Sequence, residues 1–394
     1  MAISLALITI LGMLFHSLFR KIGLPGLLGL LLLGALGGPY GLDFIDGQVV
    51  EISADLRQIA LIVILLRAGL GIKRDTLNQV GVNALKLSFL PCIMEGMTIT
   101  AAAFYLFNFS FLEAGMLGFI IAAVSPAVIV PSMLSFIEEG KGEEKGIPTM
   151  MLAGASLDDV VAITFLTSFI GIYSGRQVAL WQQVLSIPMA IFTGLLLGLL
   201  VAVALLKLFN SIDIRHTKKT LILIGTGVLM TGVEDLMQGV VPMASLIGVM
   251  FVGFIILERM PRVAEALSSK LNKVWVLAEI VLFTMVGAVV NVPLALEAGL
   301  VGIALIVIGL SARSLGVFLS LAGKQHTMRE KMFCIISYIP KATVQAAVGA
   351  LPLAAGAVKG EEILAFAVLS IVITAPLGAW LIQWGGKNLL EVKE

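Results

Sequence analysis

Charge is scarce in this chain: charged residues make up 13% of its 394 positions, roughly half the share of a soluble globular domain. The net charge of +1 supplies no clustered basic face, which excludes a nucleic-acid-binding role. Cysteine is nearly absent. Cys92 and Cys334 both fall in apolar stretches, so neither a disulfide framework nor a cysteine zinc site is expected. What fills the chain instead is hydrophobic residues, 59% of the total, with a mean hydropathy of +1.06. These values identify an all-α polytopic membrane protein, because helices satisfy their own backbone in lipid. Ala2 to Phe19 have no basic residue before the apolar run, and Arg20 and Lys21 follow it, the pattern of a retained anchor rather than a signal peptide.

Hydropathy predicts thirteen transmembrane spans, at 2–18, 24–42, 57–72, 82–107, 112–137, 147–173, 183–208, 219–234, 240–257, 274–293, 298–322, 331–353 and 362–385. Most Lys and Arg fall in loops after odd-numbered spans, whereas loops after even-numbered ones hold Arg57, Arg176 and Lys359. The positive-inside rule therefore puts the N-terminus outside and the C-terminus in the cytoplasm, in a plasma (bacterial inner) membrane. Arg215, His216, Lys218 and Lys219 mark the middle of the chain. Six spans, one connecting span and six more result, and an odd connector inverts the second six. Two inverted six-helix repeats are a hallmark of secondary transporters. Trp181, Trp275, Trp380 and Trp384 lie near span ends and are expected to be interfacial anchors.

The polar residues inside the spans carry the functional signal. Ile147 to Tyr173 places the adjacent acids Asp158 and Asp159 near the bilayer midplane, where an ionised Asp costs at least about 2.5–3.5 kcal/mol. Such a pair must titrate, find a counter-charge or bind a cation. Span 5 carries Pro126 and Pro131 at membrane depth, and its counterpart, span 12, carries Pro340 followed by Lys341. Matched broken helices point to a transporter's binding site. Lys341 is expected to neutralise carbonyl ends at the break of span 12. Glu95 and Arg313 stand in counterpart spans 4 and 11 and are expected to form a structural ion pair. Arg67 and Lys86 lie near span ends and are expected to snorkel, while Glu279 receives no role. The run EEGKGEEKG after span 5 reads as a solvated loop.

The blocks LRAGLGI, SFLPCIMEG, AVSPAVIVPSML, EKGIPTMMLAGASLDDVVAITF and YIPKATVQAAVGALPL, in this order, resemble the NHA branch of the cation:proton antiporter superfamily. Its members are sodium/proton exchangers of bacteria and animals. The resemblance implies an elevator-type homodimer with crossed discontinuous helices. A dimerisation domain would comprise residues 1–75 and 213–295, an ion-carrying core 76–175 and 296–394, and a linking helix 176–212. Asp159 matches the family's cation-binding, proton-exchanging carboxylate. Asp158 is its assisting neighbour, both counting as sodium ligands. Ser125 and Pro126 match the unwound crossing of span 5, with Thr343 as a supporting ligand. Lys341 matches the basic residue at the other crossing, and Glu95 with Arg313 the branch's charge pair. The implied partners are sodium or lithium, protons and lipid, with no cofactor. Better-known electrogenic exchangers carry Lys where Arg313 stands. Arg does not release its proton, which favours electroneutral exchange.

The mechanism has a physical basis apart from the resemblance. A carboxyl group removed from water favours its protonated form and a bound cation favours the ionised one, so sodium and protons compete for Asp159. Sodium, a hard cation, takes oxygen ligands. An intramembrane aspartyl protease would need acids on different helices and a Gly-x-Gly-Asp pattern, which is missing. The remaining alternatives are a sodium-coupled symporter of an organic anion and a cation channel. The stretch after Gln383 is too short for the nucleotide-binding domain of many potassium exchangers.

Overall fold

A computed structural model describes residues 1–174, 180–212, 215–237, 240–323 and 325–391, and the regular elements among them are helices. In chain order these are α1 (Ala2–Lys21), α2 (Gly26–Gly37), α3 (Gly47–Glu51), α4 (Ser53–Gly71), α5 (Arg74–Leu106) and α6 (Phe111–Ala122). There follow α7 (Pro126–Glu138), α8 (Ile147–Tyr173), α9 (Leu180–Ser211), α10 (His216–Met237), α11 (Ser245–Arg259) and α12 (Pro261–Ala288). The last third holds α13 (Val292–Glu297), α14 (Gly299–Ser320), α15 (Met328–Ser337), α16 (Thr343–Val348), α17 (Leu351–Ala354) and α18 (Gly360–Asn388). Nine stretches among the described residues are long and apolar enough to cross a membrane, Phe111–Glu138 counted as one. The protein is an integral, multi-pass membrane protein.

Several boundaries differ from the hydropathy reading, each for a physical reason. The third span was expected to begin at 57, but α4 begins at Ser53; Asp55 and Arg57 depress the hydropathy of a turn that is helical nonetheless. Arg57 is thus a buried helical residue, not a loop residue. The tenth span begins at Pro261 rather than 274, with the proline in the first helical turn, where its missing N–H costs nothing. Trp275 therefore lies mid-helix and only 5% exposed, which corrects its expected place as an interfacial anchor. Trp380 and Trp384 are exposed, and the side chain of Trp181 lies outside the described residues. His216 and Lys219 are in α10, and the Lys219 ammonium is buried, reaching the Phe209 carbonyl at 3.5 Å. Lys86 is inside α5, which starts well before 82, and is exposed. The run EEGKGEEKG is tied down rather than merely solvated: Lys145 Nζ donates to Glu330 at 3.0 Å and Gly142 N to the Glu391 carbonyl at 2.8 Å.

The helices pack as two groups. In one, α2 and α4 lie against α12, α1 against α2, and α9, α10 and α4 against α11. In the other, α5 is surrounded by α6, α8 and α14, and α18 closes over α6, α7, α15 and α16. Backbones approach closely where glycine stands. A Cβ on Gly34 of α2 would run into the Thr284 carbonyl of α12, and one on Gly287 of α12 into the Leu31 carbonyl of α2, the small-residue packing that membrane helices use. One device opens both α6 and α15. Ser110 and Glu113 form a capping box at the first, Thr327 and Glu330 at the second, satisfying orphan amides at each N-terminus.

Candidate functional site

Two helical runs are interrupted, and the interruptions lie against each other. The chain leaves α6 at Ala122, runs extended through Ala123 and Ser125, and restarts as α7 with Pro126 at its first position. Pro126 is thus the start of a half-helix, and Pro131 sits within α7 without breaking it. Opposite, α15 ends at Ser337 and α16 begins at Thr343, with Pro340 and Lys341 between. The two extended stretches are joined by the Ser125 N–H, which donates to the Pro340 carbonyl at 2.9 Å, and by the Ser125 and Thr343 hydroxyls 3.3 Å apart.

The carbonyls left over at the end of α6 are satisfied from the second half of the chain. Gln345 Nε2 donates to Ile120 O at 2.9 Å and to Ala123 O at 2.8 Å, and Arg313 Nη1 donates to the Ala122 carbonyl. This differs from the expectation for Lys341, whose ammonium lies 2.7 Å from Glu95 Oε2 instead. A long ammonium at an extended stretch reaches the nearest full negative charge in preference to partial ones.

Arg313 is the centre of a buried network. Its Nη1 donates to Glu95 Oε2 at 2.7 Å and its Nη2 to Asp158 Oδ1 at 2.9 Å, and the guanidinium lies 5.1 Å from the ring centre of Tyr338. Glu95, Asp158 and Lys341 are 0% exposed and Arg313 1%. The two acids and two bases balance in charge, the condition under which ions are tolerated away from water. Asp158 has its second oxygen engaged too, accepting the Val124 N–H at 2.9 Å. Each of its carboxylate oxygens thus accepts one hydrogen bond within the network.

Asp159, one residue further and about 100° around the helix, meets none of this network. Its Oδ1 is buried and has no hydrogen-bond partner among the described residues. The side chain lines a cavity of about 540 Å³ between the two helical groups. Pro126, Ser156, Asp159, Thr164 and Thr343 face it from one group, and Arg57, Gln58, Glu234, Asp235 and Leu246 from the other. A monovalent cation entering here meets a carboxylate oxygen without a hydrogen-bond partner among the described residues, with hydroxyl oxygens in the same lining, a donor set suited to a hard ion.

The family described as "Sodium/hydrogen exchanger, transmembrane" matches residues 3–384. The chain belongs to the sodium/hydrogen exchangers. The exchanger is 33% identical over 391 residues to sodium/hydrogen exchanger 9B2 of Homo sapiens, covering 94% of this chain and 71% of that one. It is also 33% identical over 383 residues to sodium/hydrogen exchanger 9B1 of Mus musculus, covering 94% and 67%. Its fold is that of the sodium proton antiporter MjNhaP1 from Methanocaldococcus jannaschii at pH 8, with a TM-score of 0.79, 21% identity, and coverage of 98% and 97%. The family moves ions rather than making or breaking covalent bonds, and membership does not favour the organic-anion symporter reading.

Three residues near the site of this exchanger had no role in the sequence reading. Gln345 stands two residues after the start of α16, and that closeness to the second break is the signal the sequence carries for it. Tyr338 is buried against Arg313. Arg57 was assigned to a loop, and no feature of the sequence marked it as part of a cavity.

Proposed function

We propose that this chain exchanges sodium or lithium for protons by alternating access of the elevator type, with Asp159 taking cation and proton competitively. The observation that carries this reading is the unpartnered Asp159 Oδ1 facing a cavity between two separately packed helical groups. Asp158, held by Arg313 and Val124, keeps α8 fixed to the crossing, and Thr343, held by the Ser125 hydroxyl, offers a hydroxyl oxygen in the cavity that Asp159 lines. Residues 76–175 and 296–394 would form the moving core of two inverted repeats, and residues 1–75 and 213–295 the scaffold of a homodimer, with 176–212 linking them. The network of Glu95, Asp158, Arg313 and Lys341 is neutral, so one sodium or one proton on Asp159 neutralises the buried cluster. Exchange is then one for one and electroneutral. With the N-terminus outside and the C-terminus cytoplasmic, the cavity opens outward, because it is lined by the beginning of α4 and the second half of α8.

The test is proton movement in proteoliposomes after a sodium step, read by an entrapped pH dye, for wild type and Asp159→Asn. Flux in the wild type that vanishes in the variant supports exchange through that carboxylate. No flux with sodium, lithium or potassium from inserted wild type would overturn it, and a sodium-driven current would overturn electroneutrality.

A further inference from the structure

The cavity that Asp159 lines also carries, on α4, a buried cation that the exchange site does not use. Arg57 on α4 is 9% exposed, and its Nε donates to the Ser53 carbonyl at 3.1 Å. Its Nη1 has no hydrogen-bond partner among the described residues, and the ion pairs that arginines make there belong to Arg67 and Arg313. A buried guanidinium without a counter-ion is costly, and this one lines the cavity that Asp159 lines.

An anionic ligand does not explain it. Asp159 from α8 and Glu234 and Asp235 from α10 face the same space, and three carboxylates repel an anion. Glu234 is held by the Ser245 N–H at 3.0 Å and by the Ser245 hydroxyl. Behind Asp159 stand Asp158, Glu95 of α5, Arg313 of α14 and Lys341, already paired with one another. Arg57 is therefore the one unpaired fixed cation facing the cavity among the described residues, and a guanidinium keeps its charge at any working pH.

Sodium and the proton carry the same charge, so the field of Arg57 opposes both equally. A cavity of 540 Å³ is about 10 Å across if spherical; taking that width as the separation of the two charges, unit charges alter an affinity roughly two- to fifteenfold between the dielectric of water and an effective value near 20. We propose that Arg57 is a side-specific release charge: fixed on the α4 wall, it weakens sodium and proton binding to Asp159 at the membrane face onto which this cavity opens, and not at the other. This rests on the reading above, in which the group carrying Asp159 moves past the group carrying Arg57. On the opposite face Asp159 has left this wall, and the repulsion is gone.

The experiment uses everted and right-side-out membrane vesicles from a host without its own sodium/proton exchangers, reading proton flux against sodium and pH at each face. Arg57→Gln is expected to lower the sodium KM at the cavity face two- to fifteenfold at alkaline pH. At acid pH, where protons compete and bind more tightly by the same factor, the apparent KM stays unchanged. The other face keeps its wild-type values, and Arg57→Lys restores the wild-type profile. Gln58→Lys, which adds a cation to the same wall, should raise the alkaline KM at that face, and it decides alone if Arg57→Gln fails to insert. A KM shifted equally on both faces, one shifted equally at both pH values, or a loss of maximal rate with KM unmoved would overturn the proposal. Wild-type flux with an unaltered Arg57→Gln KM overturns this proposal only, whereas absence of flux in the wild type overturns the exchange reading itself.

Discussion

At the residue scale the decisive contrast is between two neighbours. Asp158 accepts hydrogen bonds on both oxygens, and Asp159 Oδ1 accepts none among the described residues. Asp158→Asn is thus expected to reduce stability through loss of a charge partner for Arg313, while Asp159→Asn is expected to leave folding intact and abolish ion coupling. Thermal unfolding of detergent-solubilised protein separates the two. Arg313→Met strands Asp158 as a buried charge, while Glu95 keeps Lys341, and should cost about 3–5 kcal/mol; adding Asp158→Asn should recover part of that loss, since the two act as one unit. Outside the membrane, Glu330 titrates in a legible way. Burial pushes its carboxyl up, but hydrogen bonds from Thr327 and Lys145 outweigh it and hold the group below the usual carboxylate range. A depressed folded-state value means that its stabilisation is present above the unfolded value, near 4.5, and is lost as pH falls through the folded one. Deprotection of the Lys145–Glu330 patch in hydrogen exchange should therefore begin as pH drops below about 4.5, and Glu330→Gln should remove that dependence.

At the element scale the crossing of α6–α7 with α15–α16 depends on side chains that cap broken ends. Gln345→Leu leaves the Ile120 and Ala123 carbonyls without their donor, each at about 1–3 kcal/mol. Gln345→Glu should be worse, since it sets a negative charge against two carbonyls. A variant as stable as wild type in a melting assay would count against this capping role. The existence of both breaks was legible, because Pro126 and Pro340 interrupt apolar runs at matching positions. Their chemistry was not legible. Lys341 lies next to a break in sequence yet its ammonium goes to Glu95, 246 residues away, and the carbonyls fall to Arg313 and Gln345. Long side chains choose partners by three-dimensional reach, which spacing does not encode. Arg57 and Trp275 were misplaced for a simpler reason: hydropathy weighs composition, and a helix that carries charge in its first turns looks shorter than it is.

At the scale of the whole molecule, one ion pair among the described residues joins the two helical groups. Arg67 of α4 donates to Glu138 of α7 at 2.9 Å, with Glu138 largely exposed, so it adds no more than about 1 kcal/mol of stability. Its use is as a reporter. If the groups slide past each other during transport, cysteines placed at 67 and 138 and joined by a short bifunctional reagent should stop exchange, with reductive cleavage restoring it. Undiminished exchange in the cross-linked protein would sink the moving-core reading. The native thiols of Cys92 and Cys334 are both buried, which keeps background labelling low.

The balanced charges around Arg313 carry a consequence for which ions are accepted. Glu95 and Asp158 cancel Arg313 and Lys341, so on the proposed reading an ionised Asp159 leaves a single negative charge in the buried cluster. One monovalent ion removes it. Calcium or magnesium would overshoot to a net positive charge, and if the group carrying Asp159 moves as proposed, an excess of either sign meets a similar desolvation barrier. Discrimination by valence then needs no filter of fixed diameter. Divalent ions are expected to occupy the cavity and slow sodium exchange without themselves driving protons, so an inhibitor that is never a passenger is the outcome to look for in the dye assay.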